Sequence, residues 1–179
     1  MARAYISLGS NIDPERNLSA ALEQLAGRFK LAGQFKLLGL STIYRTPAVG
    51  PSGTPARWAG RPQDDYLNAV AAIRTDLLPA DLSAELSRIE QRLGRVRQAD
   101  RFAPRTIDLD LLAYVDDAGR VELNRPKLAA DHARLPLAEL AGELLASAGV
   151  PAEGTAVPAG FVPMAELTQQ LRRALVNQP

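Results

Sequence analysis

Between Gly94 and Leu112 the sequence reads GRVRQADRFAPRTIDLDLL, four arginines followed by two aspartates one residue apart. Side chains on a strand alternate between faces, so Asp108 and Asp110 share one face while Ile107, Leu109 and Leu111 take the other. Aspartate is depleted in strands, and two carboxylates at this spacing repel, so the pair is costly unless a cation neutralises it. Magnesium suits such a pair, being a hard ion held by one or two carboxylates and completed by phosphate oxygens and water. Arg95, Arg97, Arg101 and Arg105 precede the aspartates in a segment containing Gly94, Ala103 and Pro104, which reads as a loop. Guanidinium forks match the oxygens of phosphate. Metal beside cations is the equipment of phosphoryl transfer, where charge develops on phosphate oxygens. Each group taken alone has a plainer reading, a solvated strand face and a solvated basic loop.

A second constellation lies upstream. Tyr66 and Asn68 in DDYLNA again stand two apart, hence on one strand face, and an aromatic platform beside an amide would suit a flat heterocycle with donor and acceptor edges. A core-packed tyrosine and a strand-end asparagine would fit the same spacing. Thr46 and Pro47 could close the same pocket. His132, the one histidine, reads either as a phosphate donor or as a surface residue. Neither G-x-x-x-x-G-K-[ST] nor G-x-G-x-x-G occurs, so a nucleotide would bind by another design.

The elements that must position these groups follow from apolar spacing and turn residues. Arg3–Ser10 reads as a first strand, and Pro14 opens a helix with Leu18, Ala21, Leu22 and Leu25 on one side. Phe35–Thr46 reads as a second strand and Ala48–Asp64 as a long loop, Asp64–Thr75 as a third strand, and Pro79–Leu93 as a helix with Gly94 at its C-cap. Arg105–Val115 is a fourth strand, and Gly119–Leu123 a fifth paired to it as a hairpin. Helices are expected at Pro136–Ser147 and Val162–Val176, with loop between Gly149 and Gly160. The order predicts an α+β fold, a ferredoxin-like antiparallel sheet with helices packed on it and extra C-terminal helices. The 179 residues suit a single domain spanning 1–179. Hydrophobic residues make up 46% and the net charge is +1, so nothing draws the whole chain to nucleic acid or membrane. Without cysteine there is no disulfide framework and no thiol nucleophile. The early apolar run is interrupted by Gly9, Ser10 and Asn11, too soon for a signal peptide, which predicts a soluble cytoplasmic protein. No extended apolar face demands a partner, so a monomer is expected.

SLGSN, STIYRTPAVGP, DDYLNA, RIEQRLGRVR and APRTIDLDLL, in this order from about Ala4 to Val115, resemble the 6-hydroxymethyl-7,8-dihydropterin pyrophosphokinases of folate biosynthesis. The resemblance implies transfer of the terminal diphosphate of ATP to the pterin hydroxymethyl group, giving AMP. It implies that Asp108 and Asp110 hold two Mg2+ ions with ATP, and that Arg95 and Arg105 are catalytic-loop arginines. It places Glu90, Arg97, Leu111 and His132 at the nucleotide, and Thr46, Pro47, Val49, Tyr66 and Asn68 around the pterin. Phe102 stands where the family usually has Trp.

The chain departs from that pattern twice. Only Ala133, Arg134 and Leu135 separate His132 from Pro136, so a family segment carrying an Arg and the second stacking Phe is missing. The stretch Pro51–Asp65 is expanded and brings the single tryptophan, Trp58, a candidate for the absent stacking partner. A paralogue that binds ATP and another heterocycle is the alternative to a working kinase. An RNA-binding ferredoxin-like domain fits poorly, since its aromatic signature is missing.

Overall fold

The computed structural model describes residues 1–26, 35–100, 102–150 and 157–176; Arg101 and part of the stretch between Gly149 and Gly160 lie outside them. The elements run β1 (Ala2–Ser10), α1 (Pro14–Leu25), β2 (Phe35–Leu40), β3 (Tyr44–Thr46), β4 (Arg57–Trp58), β5 (Arg61–Pro62), β6 (Tyr66–Thr75), α2 (Pro79–Arg92), β7 (Asp108–Val115), β8 (Val121–Leu123), α3 (Arg125–Leu128), α4 (Asp131–Ser147), β9 (Val162–Pro163) and α5 (Ala165–Val176). Seven of the strands form one sheet in the order β8-β7-β1-β6-β3-β9, with β2 also on β6, and every pairing is antiparallel. This is the expected α+β ferredoxin-like arrangement.

Alternation explains which residues meet which layer. Ala4, Ile6 and Leu8 of β1 join Leu67, Ala69, Ala71 and Ile73 of β6 on one face, where α1 and α2 bring Leu18, Leu22, Leu82, Leu86 and Ile89. Each leucine or isoleucine among them stabilises the fold by about 1.5–3 kcal/mol relative to exposure. Tyr5, Val70, Ala72 and Leu112 point to the opposite face, where Leu128 of α3 and Ala133, Leu137, Ala141 and Leu145 of α4 cover them. That cover extends over only part of the face. Beyond it Ser7, Gly9, Tyr66, Asn68, Asp108 and Asp110 line an open cleft.

Several boundaries differ from the sequence expectation; α4, for one, begins at Asp131 rather than Pro136, which sits inside it, and β6 begins at Tyr66 rather than Asp64. The second strand is two, because Ser41–Ile43 leaves the regular ladder and the Ser41 hydroxyl takes the Val70 N–H at 2.9 Å. The fourth strand begins at Asp108 rather than Arg105, because the Arg105 carbonyl accepts instead from the N–H groups of Asn11 and Ile12, at 3.1 and 3.2 Å. The loop 48–64 has structure of its own, a 3-10 turn at Pro51–Gly53 and the β4–β5 hairpin, whose turn residues Ala59 and Gly60 both have positive φ. Val162–Pro163, expected to open the last helix, pairs instead with β3 as an edge strand.

β7 carries one extra residue opposite β1. Ile6 faces Leu111 and Tyr5 faces Ala113, so Leu112 is a bulge.

Candidate active site

The cleft has a volume of about 530 Å³ and opens where α4 stops covering the sheet. Its floor is three adjacent strands in register: Gly9 of β1 stands between Asp108 of β7 and Asn68 of β6. A side-chain carbon at Gly9 would lie 2.9 Å from the Asn68 Oδ1, so only glycine lets the asparagine amide lie flat across β1. Asn68 is buried, and its Nδ2 donates to the Thr46 hydroxyl at 2.8 Å. Tyr66, Thr46, Pro47 and Val49 line the same end of the cleft.

At the other end the charges concentrate. Asp108 accepts from Arg95 and from Arg105, and Asp110 pairs with Lys127 Nζ at 2.8 Å. Burial alone would raise the Asp108 carboxyl, but Arg105 and Arg95 hold it below the usual carboxylate range. Arg95 also donates to Glu90, which is buried on α2 and accepts the Leu109 N–H at 2.7 Å, so this guanidinium ties α2 to the start of β7. Burial pushes the Glu90 carboxyl up, against the lowering by that N–H and by Arg95. Arg97 is largely exposed, its guanidinium 3.6 Å from Glu90. His132 stands at the rim on the first turn of α4. Although its surface is partly open, protein around the ring pushes its pKa below the usual value; Lys127 adds to this, and Asp108, Asp110 and Asp131 oppose it.

The structure thus gathers Thr46, Pro47, Val49, Tyr66, Asn68, Arg105, Asp108, Asp110 and His132 around one cleft. Glu90 and Arg95 stand behind its charged end, and Arg97 outside it. The Leu111 side chain packs on the helix-covered face, not in the cleft. Trp58 does not line it either, whereas Tyr66 and Phe102 do. Lys127 and Gln63 are cleft residues that the sequence reading did not single out. Gln63 Nε2 donates to the Phe102 carbonyl at 2.7 Å, its Oε1 accepts from Asn11 at 3.1 Å, and Asn11 Oδ1 accepts the Arg105 N–H at 2.8 Å. This chain joins the 48–65 segment to the arginine segment.

Asp108 and Asp110 are hard oxygen donors side by side, but no group of three or more His, Cys, Asp or Glu side chains suited to a metal ion occurs among the described residues. Two carboxylates fit magnesium when phosphate oxygens and water complete its shell. No helix among the described residues is long and apolar enough to cross a membrane.

Residues 5–142 match the family model of 7,8-dihydro-6-hydroxymethylpterin-pyrophosphokinase. Among curated proteins, a 2-amino-4-hydroxy-6-hydroxymethyldihydropteridine pyrophosphokinase of Methylorubrum extorquens is 39% identical over 150 residues, covering 81% of this chain and 86% of the relative. The Pseudomonas aeruginosa protein of the same name is 34% identical over 151 residues, 79% and 82% of the two lengths. That of Aquifex aeolicus is 31% identical over 124 residues, 69% and 68% of the lengths.

Proposed function

Because the chain belongs to the 7,8-dihydro-6-hydroxymethylpterin-pyrophosphokinase family, we propose that its cleft is where it performs that family's reaction, moving the terminal diphosphate of ATP onto the hydroxymethyl oxygen of 6-hydroxymethyl-7,8-dihydropterin in folate biosynthesis. One observation carries the reading: an amide-and-aromatic end and a carboxylate-and-guanidinium end share one open patch of sheet. The pterin lies at the first end. Asn68 Oδ1 accepts from its edge, since Nδ2 is already engaged by Thr46. Tyr66 and Phe102 supply aromatic faces, which gives Phe102 the role that the sequence offered to Trp58.

ATP lies at the second end. Asp108 and Asp110 would hold Mg2+, in two ions with ATP, whose chemistry there is to draw charge from the phosphate oxygens. Arg95 and Arg105, bound to Asp108 without substrate, are within reach of the triphosphate and of charge developing on the leaving AMP. Glu90 holds Arg95 from behind. Arg97, His132 and the Leu111 backbone complete the nucleotide side, and residues 1–179 act as one unit. No side chain in the cleft is placed as a dedicated general base, so orientation and charge stabilisation do most of the work.

The test is AMP release from Mg-ATP with and without the pterin, using Asp108→Ala as control. Pterin-dependent AMP should appear and should fall at least about 100-fold in the variant. Mg-ATP binding without AMP formation would exclude the reaction.

A further inference from the structure

The residues matched to the family end at 142, yet a segment beyond them reaches the pterin end of the cleft from behind. Gly160 has φ +84, and a side-chain carbon there would lie 3.1 Å from Pro47 Cγ and 3.4 Å from its Cδ. The Phe161 ring sits against Tyr44, centroids 6.3 Å apart and planes tilted by 50°. β9 then pairs with β3, Val162 facing Arg45 and Pro163 facing Tyr44. The grip continues upstream of β3, onto Ile43 and the end of β2. The Met164 N–H donates to the Ile43 carbonyl at 2.8 Å, the Ile43 N–H to the Thr168 hydroxyl at 3.0 Å, and Arg172 reaches the Leu40 carbonyl through two nitrogens at 3.0 and 2.7 Å.

β3 has three residues, too few to hold a strand in place by its own ladder. On one side it pairs with β6, Thr46 opposite Tyr66 and Tyr44 opposite Asn68; on the other it has only β9. Its end carries Thr46, which orients the Asn68 amide, and then Pro47 of the cleft wall.

We infer that segment 160–172 is a positioning element for the heterocycle: through Gly160 against Pro47 and Phe161 against Tyr44 it sets where Thr46, Pro47 and the Asn68 amide stand. This rests on the assignment of that wall to the pterin. Gly160 is the sensitive point, since an added side-chain carbon makes Pro47 give by a few tenths of an ångström, and a wall built to that precision loses affinity when it shifts.

The experiment compares Gly160→Ala with Gly119→Ala. Gly119, in the β7–β8 turn, has φ +78 and nothing within 4 Å of an added carbon, so it carries the same backbone penalty without the contact. Gly160→Ala should weaken pterin binding about tenfold, raise the pterin KM, and leave Mg-ATP affinity and kcat near wild type. Gly119→Ala should change none of these. Amide hydrogen exchange over residues 44–49 should quicken in Gly160→Ala alone. Equal exchange and equal pterin affinity in the two variants would overturn the inference. Should Gly160→Ala not fold, Phe161→Ala is read by the same two measurements, with unchanged values again overturning it. Exchange needs no substrate, so a wild type without pterin turnover would sink the assignment of the reaction while leaving the positioning role to be decided by exchange.

Discussion

If Asp110 holds magnesium as proposed, its contact with Lys127 has to break. In the structure every carboxylate of the pair already has a cation, Arg95 and Arg105 on Asp108 and Lys127 on Asp110. Magnesium arriving alone must displace them; magnesium arriving with a triphosphate gives them phosphate oxygens to move to. Lys127→Met should therefore tighten Mg2+ binding to the nucleotide-free protein by roughly tenfold, read by titration calorimetry, while weakening Mg-ATP. Unchanged affinity for the free ion would show that the ion pair does not compete. Gly9 gives a second case. Gly9→Ala places a carbon 2.9 Å from Asn68 Oδ1, and rotating the amide away breaks its bond to Thr46, so pterin affinity should fall by about 1–3 kcal/mol with nucleotide affinity kept. At this scale much was legible. The shared face of Asp108 and Asp110, and of Tyr66 and Asn68, follows from a period of two. Lys127 was not legible, because nothing local joins it to Asp110; the packing of α3 against β7, where Asn124 bonds the Leu111 and Leu112 carbonyls, brings them together.

Elements couple the two ends of the cleft. Asn11, at the exit of β1, binds Arg105 through its oxygen and Gln63 through its nitrogen, and Gln63 binds Phe102. Gln63→Ala should release the arginine segment from the 48–65 segment and lower kcat by about tenfold with little change in melting temperature; an equal loss of both would mark Gln63 as merely structural. On α2 the buried Glu85 binds Arg88 and Arg92 at 2.9 and 3.0 Å. Burial would raise its carboxyl, yet the two arginines hold it below the usual 4.5. The unfolded chain thus takes up the proton first, so this stabilisation is complete above about 4.5 and disappears as pH falls through the lower folded value. It is worth about 1 kcal/mol, because the arginines are largely in water. Melting temperatures of wild type and Glu85→Gln should differ at pH 7 and converge in acid; a constant gap would refute the linkage. Strands and helices with a clear apolar period were readable to within a few residues. The split of the second strand and the pairing of β9 were not, since Ser41 against Val70 and Val162 against Arg45 are meetings of segments far apart in sequence.

Over the whole molecule, one sheet face is sealed by α1 and α2 while the other is shared between α4 and the cleft. If ligands complete that second face as proposed, they should stabilise the fold by mass action: Mg-ATP at 100 times its Kd adds about 2.7 kcal/mol, or roughly 5–11 °C in melting temperature for a chain of this size. No shift at saturating nucleotide would argue against binding there. The bulge at Leu112 bears on how the chain tolerates changes of length. Losing one residue from a strand ordinarily turns everything beyond it to the wrong face. Here Ile6 already faces Leu111 and Tyr5 already faces Ala113, so deleting Leu112 would close the ladder without moving the aspartates or returning Tyr114 to the cleft side. The cost is the fully buried side chain, about 2–5 kcal/mol, together with the carbonyl that accepts the Asn124 N–H at 2.8 Å. A Leu112 deletion should melt well below wild type yet turn over substrate in the cold, whereas deleting Leu109 should abolish activity at every temperature. β7 thus has a spare link, placed between the half of the strand that serves the cleft and the half that serves the core.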